Sequence, residues 1–169
     1  MKNTPSLLAI LGLIFCTSGA TADDVYQETT LSLDYAQRLA GATVAACRKD
    51  GYKVSVAVLD KKGIIKALLT DDGAFLHSGD ASLRKAYASI SRQLPSHAIQ
   101  EHINKNNDIN TALNFTSLGM STWGGGLPIK YKEEVVGAIG VSGAPGSELD
   151  VACATAALAE ISITTEEKS

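Results

Sequence analysis

Apolar residues recur at helical spacing at Leu33, Ala36, Ala40, Val44 and Cys47, so the chain reads as an amphipathic helix from Ser32/Leu33 to Lys49. Ser32 suits the N-cap and Gly51 ends the helix. The period then shortens. Residues 53–59 (KVSVAVL) alternate valines with other small or apolar positions and read as a strand. Asp60-Lys61-Lys62-Gly63 is a turn with Gly63 suited to a positive φ, and residues 64–69 return as the second strand of an antiparallel hairpin.

Asp71-Asp72-Gly73 breaks that strand. A helix over about 79–93 follows, with Ser78 as cap, Asp80 in the first turn and Leu83, Ala86, Tyr87, Ile90 and Leu94 as its inner stripe. Pro95 ends it, and Ser96 caps a short helix to about Ile103. Residues 104–126 read as a polar loop rich in asparagine and glycine, with short signals in 109–126 for a fifth strand. Residues 127–131 and 135–141 form a second hairpin, turned at Lys132-Glu133-Glu134. Ser147 and Asp150 match a capping box that opens a last helix over 148–161. Hairpins in place of strand–helix–strand crossovers predict an α+β fold, a mainly antiparallel sheet with helices on its faces.

The first residues change which part of the chain is read as the fold. Lys2, the apolar run 7–15 and the A-x-A pattern at Ala20-Thr21-Ala22 read as a signal peptide over 1–22, so the expected domain is 23–169. The run is too short for a bilayer span, which takes roughly 20 residues. The remainder carries no candidate membrane span, and the expected location is periplasmic or secreted. A net charge of −3 without a basic patch argues against nucleic acid as a partner. In an oxidising compartment Cys47 and Cys153 can pair if their helices share a sheet face; otherwise both are buried thiols.

Chemistry is sparse. Gly137, Gly140, Gly143 and Gly146 do not fit G-x-G-x-x-G and sit in and beyond a strand, so close backbone packing is the better account. Ser142 has Gly140 two residues before it but Ala144 two residues after, so the nucleophile-elbow motif fails. His77, His97 and His102 do not share the spacing of a metal cluster, and no acid–base pair or nucleophile constellation emerges. One well-placed imidazole is nonetheless enough to ligate haem iron, which makes His97 or His102, then His77, the candidate axial groups, with Met120 and Tyr87 behind them. Arg84, Lys85 and Arg92 are the cations available to propionates. Asn114-Phe115-Thr116 is a glycosylation sequon in a host that glycosylates.

An ordered set of short motifs resembles the GlcG/HbpS-like family of haem-binding and haem-degrading domain proteins, to which the C-terminal domain of PduO-type corrinoid adenosyltransferases also belongs. The set runs from about Leu31 to Ile161: Val58-Leu59-Asp60-Lys61-Lys62-Gly63, Asp72-Gly73-Ala74, Arg84-Lys85-Ala86, Gly125-Gly126-Leu127-Pro128-Ile129, the strand 136–143, and Asp150 with Cys153-Ala154. Two departures stand out. Thr70-Asp71 replaces the family's common Arg-Met, and the insert before Gly125 is longer.

The resemblance implies a profilin-like three-layer α/β/α sandwich with a five-stranded antiparallel sheet. It also implies a homo-oligomer, often an octamer, and haem binding in exported members. The expected function is therefore an exported haem-binding protein for storage, scavenging or peroxide-linked haem degradation, with any degradation performed by the bound iron. An oligomeric binding or accessory module for a corrinoid or an organic acid is the alternative.

Overall fold

The computed structural model describes residues 25–164. The expected signal segment, 1–22, lies outside them. The elements run α1 (Leu33–Lys49), β1 (Ser55–Asp60), β2 (Ile65–Thr70), α2 (Ser78–Arg92), α3 (Ser96–Asn106), α4 (Ile109–Ser117), β3 (Gly126–Tyr131), β4 (Glu134–Ser142) and α5 (Ser147–Glu160).

All pairings are antiparallel, in the order β2-β1-β4-β3. β1 and β4 occupy the centre, in register from Ser55 opposite Ser142 to Asp60 opposite Gly137. They belong there because small or apolar residues occupy both of their faces, and β1 is buried throughout. Strand alternation sends Val56, Val58, Ile139 and Val141 into one cluster with α1 and α5. Ala57, Leu59 and Ala138 go into another with Ala86 and Ile90 of α2. A Cβ on Gly140 would overlap the carbonyl of Ser82 in α2, and one on Gly137 would overlap Leu31. The glycine spacing thus serves close packing.

Local chemistry accounts for the ends of the elements. Ser32 Oγ accepts the Tyr35 N–H at 3.2 Å and starts α1. Asp60 Oδ1 accepts the amides of Lys62 and Ile64, each at 2.9 Å, and Gly63 takes φ 78°, closing the first hairpin. Cys47 and Cys153 form a disulfide with Cα atoms 5.3 Å apart, which settles their open alternative and staples α1 to α5.

Four expectations are corrected. The sheet has four strands among the described residues, not five. The segment read as loop or fifth strand contains α4, because Asn107 turns the chain at φ 49° and Asp108 Oδ1 then caps the Thr111 N–H at 3.0 Å. The capping box does not form: Gly146 is the N-cap of α5, and Asp150 turns its carboxylate to another helix. On α2, Tyr87 is 40% exposed, and Leu94, just past the helix, is 47% exposed; the inner stripe consists of Leu83, Ala86 and Ile90.

Candidate functional site

The turn between β2 and α2 is pinned at both ends. The buried Asp71 carboxylate accepts Arg48 Nε at 2.9 Å and Nη2 at 2.5 Å, and its amide donates to the Val54 carbonyl at 2.9 Å. The Arg48 hydrogen bond holds the Asp71 carboxyl below the usual carboxylate range, against the opposing effect of desolvation. At the other end Ser78 Oγ lies 2.7 Å from both Ser55 Oγ and the Phe75 carbonyl, and Ser55 reaches Thr70 at 3.0 Å. Between these anchors Phe75, Leu76 and His77 face outward; the Phe75 and His77 rings stack at 5.8 Å with an interplanar angle of 14°.

A second wall comes from the opposite side. Ser96, expected as a helix cap, instead accepts the Gly126 amide at 2.9 Å and donates to the Trp123 carbonyl at 2.7 Å. That fixes the chain leading into β3 and presents Trp123 at 69% exposure. Together with residues 143–147 before and at the start of α5, these walls enclose a cavity of about 520 Å³.

Its floor is an ion pair. Lys85 Nζ donates to Asp150 Oδ2 at 2.8 Å and to the Val141 carbonyl at 3.0 Å, with both side chains about 95% buried (5% and 4% exposed). Asp150 Oδ1 accepts the Ala144 N–H at 3.1 Å. Desolvation pushes the Asp150 carboxyl above the usual range, and Lys85 offsets part of that rise. A pair this buried is weak evidence for net stability, but removing one partner is severely destabilising.

The structure brings His77 and Lys85 together in this cleft. It separates the other expected residues from them. Arg84 pairs with Asp80 at 2.7 Å and borders a different cavity of about 300 Å³ with Tyr87. Arg92 lies over the Phe115 ring at 5.8 Å, and Met120 packs on the α3 cluster. On α3, His102 is exposed with Asn106 Nδ2 3.2 Å from its Nε2, and His97 has a buried Nδ1 without a hydrogen-bond partner among the described residues. Phe75, Trp123 and Asp150 complete the cleft and were not among the expected site residues. A lone tryptophan just before Gly124-Gly125-Gly126 was the signal for Trp123.

Fold and cleft define a small α+β domain: an antiparallel sheet and two helices hold an aromatic-walled cavity that His77 also lines. The family model described as "Haem degrading protein HbpS-like" matches residues 31–159, and the chain belongs to that family. It is 30% identical over 117 residues to a 15.0 kDa protein of the dhaT-dhaS intergenic region of Citrobacter freundii, covering 69% of this chain and 82% of the relative. It is similar to a double mutant of HbpS from Streptomyces reticuli, with 31% identity and TM-score 0.76 over 94% of this chain and 100% of that one. It also resembles a PduOC:heme complex, with 22% identity and TM-score 0.71 over 82% of this chain and 100% of that one, a likeness of fold. Among the described residues no helix is long and apolar enough to cross a membrane.

Proposed function

We propose that this protein binds haem in the cleft under His77, with that imidazole as the axial ligand. The observation that carries the reading is the exposed His77 ring, stacked on Phe75 and facing a cavity walled by Trp123. A flat aromatic macrocycle holding iron needs apolar surface and a nitrogen donor, and Phe75, Trp123 and the His77 imidazole line this cleft. Membership of the HbpS-like family supports the same ligand. The bound iron would supply any redox chemistry, including peroxide-linked breakdown; the protein's part is to bind, orient and shield the group.

His77 stands ahead of His97 and His102 because it shares the cavity with the aromatic walls. His97 is the second reading, supported by its buried, unpartnered Nδ1. Lys85 is the cation inside the cleft, whereas Arg84 and Arg92 lie outside its lining. The reading extends to an exported protein, periplasmic or secreted, that assembles as a homo-oligomer of profilin-like three-layer α/β/α protomers. Its physiological task is storage or scavenging of haem.

The test is a haem titration of residues 23–169 followed at the Soret band. A shift at micromolar haem is expected, retained by His97→Ala and His102→Ala and lost in His77→Ala. No shift in the unsubstituted protein would sink the haem reading; loss only in His97→Ala would transfer the axial role.

A further inference from the structure

The floor of the cleft has a donor left over. A lysine ammonium carries three N–H groups. Those of Lys85 make two hydrogen bonds, to Val141 O at 3.0 Å and Asp150 Oδ2 at 2.8 Å, and among the described residues the third has no acceptor. The side chain is 5% exposed, and what exposure it has borders the cavity. A pair that only stapled α2 to α5 would gain from a third acceptor in the protein, since an unmet buried donor is costly. Ser142 lines the same cavity, as do Phe75 and Trp123.

We propose that this floor is a carboxylate site for a planar aromatic acid, which binds together with one proton. Lys85 and Ser142 donate to the incoming carboxylate, and Asp150 takes the proton to become a carboxylic acid. Charge then balances: one ammonium faces one carboxylate, as before binding. Asp150 is suited to this because desolvation already favours its neutral form, and a second carboxylate on Lys85 favours it further. The charged or titratable groups around it are Lys85 from α2, Glu148 on its own helix and His77 on the facing wall. The inference rests on the cleft being the ligand site, and it holds whether the carboxylate is a haem propionate or a free aromatic acid.

Calorimetry on the oxidised protein, residues 23–169, separates these sources and tests the site. The probes are 2-naphthoate against 2-naphthamide, and haem against its dimethyl ester. At least one acid is expected to bind more tightly than its neutral counterpart. Its affinity should rise ~10-fold per unit fall in pH while one proton is taken up. Asp150→Asn should bind but lose that pH dependence, which separates Asp150 from His77 as the proton acceptor. Lys85→Met should abolish the preference for acid over neutral probe; if that variant fails to fold, Ser142→Ala should reduce it. A preference for naphthoate alone assigns the site to free acids, and a preference for haem over its ester alone assigns it to propionates. Equal binding of both acids and their neutral counterparts overturns the proposal, as does a pH dependence that survives in Asp150→Asn. Neither result touches a Soret shift, so the haem reading stands or falls separately.

Discussion

Reducing the Cys47–Cys153 bond should remove a large share of the protein's stability. The bridge closes a loop with a sequence separation of 106. In the chain-entropy account a cross-link of that span lowers the entropy of the unfolded chain by ~16 cal/mol/K, or ~4.8 kcal/mol at 25 °C. Both cysteines are buried between α1 and α5, so native packing offers no obvious relief. With a urea slope of roughly 2 kcal/mol/M, the unfolding midpoint should fall by ~2.4 M. Domains of this kind have only about 5–15 kcal/mol in total, so the reduced form should be marginal near body temperature. The assay compares urea unfolding of the oxidised protein, the protein with a strong phosphine reductant, and Cys47→Ala/Cys153→Ala. Thiol labelling confirms the redox state of each sample. Midpoints within ~0.5 M of one another, with labelling proving reduction, would show that the bridge contributes little to stability.

Other outcomes follow from single contacts. Lys85→Met strands the Asp150 carboxylate in the floor and should destabilise by about 3–5 kcal/mol in urea unfolding, with Lys85→Met/Asp150→Asn recovering part of it; an unchanged midpoint in the single variant would contradict the buried pair. Gly140→Ala forces a Cβ onto the Ser82 carbonyl and should lower stability by about 1–3 kcal/mol, which thermal unfolding would detect; no change would mean that α2 does not lie on β4 as described. The Asp71 carboxyl is held low by Arg48, so its contribution is present above the ordinary carboxylate range and lost as pH falls through the depressed folded value. Urea midpoints measured down to about pH 3 should therefore fall less steeply in Asp71→Asn than in the unsubstituted protein, and parallel curves would count against the Arg48 pairing.

The parts of the fold visible in the sequence are those where one period runs uninterrupted. α1 keeps its apolar spacing from Ala36 to Cys47, and β1 and β4 keep theirs on both faces, so existence and type could be read directly. α4 was hidden because none of its residues is fully buried: its partners are Ile99 and Ile103 of α3, touched by Ala112 and Phe115, and a polar composition masked that short stripe. Asp150 looked like a helix cap because a cap is a local signal, whereas its actual partner, Lys85, lies 65 residues away. Ser96 carries the same local cap signal, while its partners are the distant Trp123 and Gly126. In the cleft, the histidine and the lysine are visible from residue type alone. That His77 rather than Arg84 shares a cavity with Lys85 depends on how α2 is rotated on the sheet, and that follows from Ser82, Ala86 and Gly140 meeting face to face.

The role of His77 at the lip of the cleft is tested most directly by the absorption spectrum of His77→Gly mixed with haem, before and after adding free imidazole. The Soret position of the unsubstituted protein should be lost in the variant and return when imidazole occupies the vacated place. A His77→Gly spectrum identical to that of the unsubstituted protein would contradict it.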